Sequence, residues 1–192
     1  MIAIVKYNAG NTLSVENAVK RLGYSCEVTD DPVKLNAADK VIFPGVGHAA
    51  PAMAYLKERG LDEVIKNLLQ PVLGICLGMQ LMCRFSEEGE TEGLGIFDTD
   101  VLKFPPEDKV PHMGWNTVQH LDSILFKGIV PDADFYFVHS YYAGLSDTSS
   151  GVCRYIQPFS AALQKDNYYA VQFHPEKSGP VGAQLLKNFL EL

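Results

Sequence analysis

The first half of the chain alternates short apolar runs with longer amphipathic segments. The apolar runs predict β-strands at residues 2–6, 24–28, 41–43 and 71–75. A helix between the first two strands is expected to begin at Asn11 or Thr12, which are typical capping residues, and to end at Gly23. A longer helical region follows the third strand and reaches Leu69. Strands that alternate with helices are typical of a parallel sheet with helices on both faces.

The second half has a different rhythm, with many short strands and little helix between them. Its predicted strands are residues 95–103, 115–119, 134–138, 152–156, 160–165 and 168–173. A last helix is predicted over residues 178–190. Together the halves predict an α/β fold: a doubly wound, mostly parallel sheet flanked by helices, with additional antiparallel strands inserted or appended in the second half. No repeat and no long linker divides the chain, so residues 1–192 are expected to form a single domain.

A glycine-flanked cysteine stands at the end of the fourth predicted strand. The segment Gly74-Ile75-Cys76-Leu77-Gly78 follows an apolar run and precedes a helix-like stretch from Met79 to Phe85. A short strand that turns sharply into a helix through such a corner is the cysteine form of a nucleophile elbow. The glycines leave the thiol accessible, and a helix start favours the thiolate. Taken alone, the five residues fit a buried structural cysteine with two packing glycines equally well.

A histidine and a carboxylate follow the last predicted strand. His174-Pro175-Glu176 begins where the apolar run of residues 168–173 ends. In extended backbone, side chains two residues apart lie on the same side, so Glu176 can orient the His174 imidazole. Pro175 favours an extended conformation at His174. A lone histidine at a strand end is more often structural, but a cysteine nucleophile needs a base and a group that orients the base, and these two residues supply both.

A glycine-containing loop follows the third predicted strand. In a parallel sheet, Pro44-Gly45-Val46-Gly47 emerges at the same carboxyl edge as Cys76, where ligands bind in open α/β sheets. Attack on an amide creates an oxyanion that requires N–H donors. In elbow enzymes one donor is the residue after the nucleophile, here Leu77, and the other comes from a loop such as residues 45–47. A plain turn between strand and helix is the alternative interpretation of this loop.

Composition and charge are those of an ordinary globular protein. The sequence has 192 residues, of which 47% are hydrophobic and 20% are charged, and its formal net charge is −7. An acidic chain lacks the basic face that nucleic-acid binding requires. No apolar run approaches the roughly 20 residues of a membrane span, and the first residues resemble a strand rather than a secretory signal. The four cysteines show no CxxC pair and no metal-ligand spacing, so we expect a reduced, cytoplasmic protein.

Two of these motifs resemble the signatures of the class I glutamine amidotransferases. They are Leu73-Gly74-Ile75-Cys76-Leu77-Gly78-Met79-Gln80-Leu81 and His174-Pro175-Glu176. Further segments across nearly the whole chain resemble one branch of that family, the glutaminase subunits of L-histidine biosynthesis. These segments are Tyr7–Asn11, Phe43–Gly47, Pro111–Asn116, His139–Tyr142 and His174–Ser178. The most selective of them are His112-Met113-Gly114-Trp115-Asn116 and Glu176-Lys177-Ser178.

The resemblance implies a glutaminase that hydrolyses L-glutamine through a thioester. The implied catalytic triad is Cys76, His174 and Glu176. The implied oxyanion-binding residues are Val46, Gly47 and Leu77. The implied substrate-binding residues are Gly45, Gln80, Ser140 and Tyr141. Gln80 lies one helical turn after Cys76 and therefore on the same face, although without the resemblance it would be taken for a solvated helix residue. The resemblance implies no cofactor and no metal.

The resemblance also implies a partner. Members of this branch deliver ammonia to a cyclase subunit with a (β/α)8 barrel, with which they form a heterodimer. A closed route between the two subunits favours this transfer, because ammonia that enters water at neutral pH is mostly protonated to ammonium, which is not nucleophilic. The implied interface residues are Asn11, Met113, Trp115 and Lys177. An aromatic anchor is typical of an interface, but a buried core Trp is the competing interpretation of Trp115, and a plain surface charge that of Lys177.

Two departures and two alternatives accompany the resemblance. The first turn of the family usually reads Asp-Tyr-Gly-Met-Gly-Asn, whereas Lys6 and Asn8 stand at its first and third positions here, which alters the contacts that the loop offers a partner. The glutaminases of anthranilate, purine, guanylate or pyridoxal-phosphate synthesis share the elbow but should lack the Trp115 motif. A non-catalytic module of the same fold would often lose the nucleophile or the histidine, yet Cys76 and His174 are both present.

Overall fold

The computed structural model describes residues 1–192, which form 13 strands, six α-helices and two short 3-10 helices. The strands are β1 (Ile2–Val5), β2 (Cys26–Thr29), β3 (Lys40–Phe43), β4 (Val72–Ile75), β5 (Cys83–Ser86), β6 (Thr91–Glu92), β7 (Phe97–Lys103), β8 (His112–Gln119), β9 (Asp134–His139), β10 (Tyr141–Ala143), β11 (Ser149–Tyr155), β12 (Gln157–Lys165) and β13 (Tyr168–Val171). The α-helices are α1 (Thr12–Arg21), α2 (Pro32–Ala37), α3 (Ala49–Glu58), α4 (Leu61–Lys66), α5 (Leu77–Met82) and α6 (Gly179–Leu190). The 3-10 helices are Ile124–Phe126 and Pro175–Lys177.

Parallel pairing organises the first half of the sheet. Strands β2-β1-β3-β4-β13 lie in this order and are parallel throughout. Antiparallel pairing then carries the sheet through β12, β10 and β7, while β5 pairs parallel with β7. A further antiparallel group, β11-β8-β9, branches from β12. The predicted fold class, a doubly wound parallel sheet with added antiparallel strands in the second half, is confirmed.

Helices cover both faces of the sheet. Successive residues of a strand point to opposite faces, so Val5 joins the core on one side and Ile4 the core on the other. Helices α2 to α5 pack on the face of Val5, and α1 and α6 pack on the face of Ile4. The two cores contain 28 and 27 buried residues. Such an even division is typical of a parallel sheet that is buried on both faces.

Three details differ from the prediction. The elbow helix α5 ends at Met82 rather than Phe85, because the next residues form β5 and pair with β7. The helical region that reaches Leu69 is two helices, separated at Gly60, which has a left-handed φ of 65°. Helix α2 and strands β6 and β10 are absent from the prediction, because segments of six, two and three residues are too short to show a period.

The carboxyl ends of the parallel strands meet at one edge of the sheet. There β1 leads into residues 6–11, β3 into residues 44–47, β4 into Cys76, and β13 into residues 172–174. Since β13 pairs directly with β4, the two motifs that lie farthest apart in the chain arrive as neighbours. This edge therefore holds every segment that the sequence analysis associates with catalysis.

Candidate active site

The elbow holds Cys76 in a strained backbone conformation. Cys76 has φ 52° and ψ −106° between β4 and α5, a region that residues with a side chain rarely adopt. Such a conformation costs about 1–3 kcal/mol and persists only where its surroundings enforce it. A Cβ at Gly78 would lie 1.8 Å from the backbone oxygen of Phe43, and a Cβ at Gly74 would lie 2.5 Å from the sulphur of Met82. The two glycines therefore permit the close packing that keeps the elbow sharp.

His174 and Glu176 follow β13 and form a buried pair. Nδ1 of His174 lies 2.8 Å from Oε1 of Glu176, and both side chains are 0% exposed. The His174 N–H donates to the Tyr136 carbonyl at 2.9 Å, and its carbonyl accepts from the Ser178 hydroxyl at 2.7 Å. The ring is thus held through its backbone and through Nδ1. Its Nε2 atom is buried and has no partner within hydrogen-bond distance.

The surroundings of His174 favour its protonated form. Burial lowers the pKa of His174, but the neighbouring Cys76 and then the Glu176 carboxylate outweigh burial and raise it to about 10. A protonated imidazole beside a cysteine favours the thiolate, which is the nucleophilic form. The structure thus brings Cys76, His174 and Glu176 into one group.

Asn11 lies against this group. It occupies the N-cap position of α1 with φ 76°, yet its side chain makes no capping hydrogen bond. Instead, Nδ2 of Asn11 donates to Oε1 of Glu176 at 2.5 Å. Asparagine tolerates the left-handed conformation better than most residues with a side chain. The residue that the resemblance assigns to a partner interface therefore contacts the carboxylate beside His174.

The loop after β3 contacts the elbow through its backbone. The Leu77 N–H, a predicted oxyanion donor, donates to the Gly45 carbonyl at 3.2 Å. The Val46 carbonyl accepts from the Gly10 N–H at 3.1 Å, and Gly47 has φ 139°. In this arrangement the Leu77 N–H is already satisfied. Its partner, the Gly45 carbonyl, occupies the position that the sequence analysis assigns to an oxyanion.

A cavity of about 490 Å³ opens beside the thiol. The predicted residues that line it are Val46, Gly47, Cys76, Leu77, Gln80, Ser140 and Tyr141. Gly45, predicted as a substrate contact, does not line it. Glu88 and Lys103 line it as well and bring one carboxylate and one ammonium group to the wall. The sequence alone does not indicate Glu88, because an acid within the run Glu87-Glu88-Gly89-Glu90 is typical of a solvated turn.

Two glutamines order the wall behind the thiol. Nε2 of Gln80 donates to the Tyr141 carbonyl at 2.9 Å and to Oε1 of Gln172 at 3.0 Å. Nε2 of Gln172 lies 3.6 Å from the Cys76 sulphur. Both protons of the Gln80 amide are used, which leaves its Oε1 atom for a ligand. Gln172 is absent from the predicted site, although a single amide within the apolar strand before His174 is a signal that points to it.

Three predicted interface residues are exposed beside the triad. On β8, Met113 is 62% exposed and Trp115 is 57% exposed. Lys177 is exposed in the 3-10 helix that follows His174. The Trp115 ring packs edge-on against Tyr136, at 6.0 Å between centroids. The competing interpretation of Trp115 as a buried core residue is therefore wrong.

Two further cysteines, Cys83 and Cys153, are buried. Burial raises the pKa of the Cys83 thiol, and it raises that of Cys153 to about 12. These thiols are therefore poor nucleophiles at neutral pH.

No group of three or more His, Cys, Asp or Glu side chains is placed to hold a metal ion. None of the helices combines the length and the apolar character that a bilayer crossing demands.

Known proteins match the chain along its whole length. The model of the family described as Glutamine amidotransferase class-I matches residues 4–192. A Bacteroides fragilis protein, imidazole glycerol phosphate synthase subunit HisH, is 63% identical over 100% of this chain and 99% of its own length. The Escherichia coli K12 protein of that name is 50% identical over 100% of this chain and 99% of its own length. The Vibrio cholerae protein of that name is 48% identical over 100% of this chain and 98% of its own length.

Solved structures share the fold. PurLQS from Thermotoga maritima has a TM-score of 0.69 at 15% identity, covering 99% of this chain and 97% of that chain. The CTPS glutaminase domain of Trypanosoma brucei, solved with bound acivicin, has a TM-score of 0.65 at 20% identity, covering 99% of this chain and 93% of that chain. At these identities the likeness shows the fold alone.

Proposed function

Because the chain belongs to the class I glutamine amidotransferase family, among the HisH subunits of imidazole glycerol phosphate synthase, we propose that Cys76, His174 and Glu176 are its glutamine-hydrolysing triad. The grouping of these side chains at the carboxyl edge of the sheet, with a cavity opening on Cys76, carries the proposal. Residues 1–192 act as one glutaminase domain. The named relatives favour this subunit over a glutaminase of anthranilate, purine, guanylate or pyridoxal-phosphate synthesis.

Hydrolysis proceeds through a thioester on Cys76. The thiolate attacks the side-chain amide carbon of glutamine and forms a tetrahedral oxyanion. The C–N bond breaks as His174 gives its proton to the departing nitrogen, which leaves as ammonia. Neutral His174 then takes a proton from water, the hydroxide attacks the thioester, and glutamate leaves with the thiolate restored. Glu176 holds the imidazole during both steps through its 2.8 Å contact with Nδ1.

The oxyanion binds at the Leu77 N–H and at the peptide between Val46 and Gly47. The Gly45 carbonyl competes for the Leu77 N–H, which it contacts at 3.2 Å. Rotation of this carbonyl frees the donor, and Gly47, at φ 139°, gives the loop backbone freedom that other residues lack. Until the loop moves, the oxyanion lacks a preorganised donor, so the chain by itself hydrolyses glutamine slowly.

The charged wall of the cavity binds the amino-acid end of glutamine. A free amino acid carries both an ammonium and a carboxylate group, and Glu88 and Lys103 supply the opposite charges. The Oε1 atom of Gln80 adds an acceptor for the ammonium group. The backbone at Ser140 and Tyr141 borders the same space. This combination favours a small zwitterion and leaves the side-chain amide to reach the thiol.

The ammonia passes to a cyclase subunit with a (β/α)8 barrel. The relatives are named as subunits of imidazole glycerol phosphate synthase, which favours a complex for this chain as well. We take its partner to be the cyclase of L-histidine biosynthesis. The exposed side chains of Met113, Trp115 and Lys177 lie beside the triad and suit a docking surface there. In the heterodimer, ammonia joins a ribulosyl phosphate intermediate to give imidazole glycerol phosphate and AICAR. We place this complex in the cytoplasm and assign it no nucleic-acid or membrane partner.

The Cys76→Ala variant in complex with the cyclase tests the proposal. Glutamine-dependent synthesis should fall at least about 1000-fold, since the variant has no nucleophile. Synthesis from added ammonium salt should be unchanged, because the cyclase site is intact. Cys26→Ala, which changes a half-buried thiol away from the cavity, should leave both reactions unchanged. Loss of the ammonium-dependent reaction in Cys76→Ala, or full glutamine-dependent synthesis, would contradict the proposed role.

A further inference from the structure

A line of hydrogen bonds runs through the interior from β8 to the glutamine cavity. Nδ2 of Asn116 lies 3.1 Å from Nε2 of His112, and Nδ1 of His112 lies 2.9 Å from Nε2 of His139. Nδ1 of His139 lies 2.7 Å from the Tyr141 carbonyl. Antiparallel pairing of β8 with β9 places His112 directly opposite His139. Both histidines are buried, and neither has a part in the hydrolysis described above.

Backbone groups at the two ends give this line a single direction. Oδ1 of Asn116 accepts from the Thr117 N–H at 2.8 Å, so Nδ2 is the atom that faces His112. Nε2 of His112 therefore accepts, and the proton of the neutral ring is on Nδ1, which donates to His139. His139 must then also carry its proton on Nδ1, and it donates this proton to the Tyr141 carbonyl, which can only accept. The Asn116 end and the Tyr141 end therefore require the same direction of donation along the line.

An aromatic shell keeps both rings neutral. His112 stacks on Tyr155 with ring centroids 4.1 Å apart and on Phe137 with centroids 4.9 Å apart. The His139 ring lies 5.3 Å from that of Phe104. Burial lowers the pKa of His112 to about 4 and that of His139 to about 3. A neutral imidazole has one donor and one acceptor, which is what each position in the line requires.

We propose that His112 and His139 are positioning residues for the glutamine cavity, acting through the Tyr141 carbonyl; this inference rests on the proposed function. That carbonyl accepts one hydrogen bond from His139 at 2.7 Å and another from Nε2 of Gln80 at 2.9 Å. The orientation of the Gln80 amide on the cavity wall thus depends on a carbonyl that His139 holds. Residues of β8 thereby contribute to glutamine affinity although they lie behind the cavity.

Neither histidine acts on the substrate itself. His139 lines the cavity, but its Nδ1 atom is engaged with Tyr141 and its Nε2 atom with His112. Loss of the line would shift the substrate contacts at residues 140–141 and leave the triad in place. The expected signature is weaker glutamine affinity at nearly unchanged turnover, which distinguishes a positioning role from a catalytic one.

Two substitutions of His139, in the complex with the cyclase, test the inference. His139→Leu removes the donor to Tyr141 and should raise KM for glutamine about tenfold, the effect of one lost hydrogen bond, while kcat stays nearly unchanged. His139→Asn places an amide N–H where Nδ1 stood and should restore most of the affinity. His120→Asn is the matched control, because His120 is exposed and does not line the cavity, and it should change neither constant.

Nuclear magnetic resonance of the unmodified chain tests the hydrogen-bond line without a variant. The ring nitrogen shifts should identify both His112 and His139 as Nδ1–H tautomers at neutral pH. An Nε2–H tautomer at either position, or wild-type KM in His139→Leu, would overturn the inference. Absence of glutaminase activity in the wild-type complex would overturn the proposed function instead, and the tautomers would still decide whether the line exists.

Discussion

At the scale of single residues, one oxygen of the Glu176 carboxylate takes two hydrogen bonds. Oε1 lies 2.8 Å from Nδ1 of His174 and 2.5 Å from Nδ2 of Asn11. The Asn11 amide limits the rotation of this carboxylate, and the carboxylate in turn holds the His174 ring. We therefore expect Asn11 to be a positioning residue of the triad. The loop after β1 then bears directly on the orientation of His174, the proposed catalytic base.

Replacing Asn11 with Gly should lower kcat for glutamine hydrolysis about tenfold or more, with little change in KM. Glycine adopts the left-handed backbone of this position without strain, so the change isolates the amide. A lost hydrogen bond to a charged group costs about 1.5–3 kcal/mol, and about 1.4 kcal/mol corresponds to a tenfold change in rate. Glutamate release by the purified complex, followed over a range of glutamine concentrations, measures both constants.

Asn8→Ala is the control for this experiment. The Asn8 amide donates to the Pro51 carbonyl at 3.1 Å and makes no contact with the triad. Its removal should therefore leave kcat at the wild-type value. If Asn11→Gly also retained that value, the Asn11 amide would have no positioning role.

At the scale of elements, the close approach of α5 to β3 sets the geometry of the elbow. A Cβ on Gly78 would lie 1.8 Å from the backbone oxygen of Phe43 and 2.9 Å from its carbonyl carbon. Backbone atoms cannot swing aside as the end of a flexible side chain can, so one of the two elements would have to move. Phe43 directly precedes the loop of residues 44–47, and Gly78 follows Cys76 by two positions. Such a movement would separate this loop, the proposed oxyanion site, from Cys76.

Gly78→Ala should therefore lower the free energy of unfolding by about 3 kcal/mol and remove most glutaminase activity. Urea denaturation followed by circular dichroism measures the change in stability. Gly144→Ala is the matched control, since the nearest atom to its Cβ would be Oγ1 of Thr99 at 3.4 Å. Its free energy of unfolding should change by less than about 1 kcal/mol. Wild-type stability in Gly78→Ala would mean that α5 and β3 can separate without cost.

At the scale of the whole molecule, two buried neutral histidines make stability depend on pH on the acid side. Burial lowers the pKa of His139 to about 3 and that of His112 to about 4. An unfolded histidine titrates near pH 6.5. At lower pH, the unfolded chain therefore binds protons at residues 112 and 139 that the folded chain excludes.

The free energy of unfolding should therefore fall as the pH is lowered below about 6.5. His139 alone should contribute a slope of about 1.4 kcal/mol per pH unit on the acid side. Urea titrations at a series of pH values measure this slope. His139→Asn should lower the slope by about 1.4 kcal/mol per pH unit and leave the contribution of His112, because asparagine does not titrate. His120→Asn, a change at an exposed position, serves as the control. Equal acid slopes in wild type and His139→Asn would contradict a buried neutral ring at residue 139.

The sequence by itself determined the features that adjacent residues define. The elbow of residues 74–78 and the segment His174-Pro175-Glu176 are each contiguous, so residue type and spacing indicate their chemistry. The alternation of apolar runs and amphipathic segments likewise predicted a sheet that is covered on both faces. Burial of one side of an element imposes a period on its own sequence, and that period is visible without any knowledge of its neighbours.

Only the tertiary structure decided which distant groups meet. The contact of Asn11 with Glu176 and the line from His112 to His139 depend on the order and register of strands. Glu88 is one acid in an acidic run of the sequence, yet it is a charged group on the cavity wall of the folded chain. The physical reason is that the period of a sequence reflects which residues of one element are buried, and not which residues of other elements they contact. A hydrogen bond instead requires two groups to be brought within about 3 Å by the packing of separate elements.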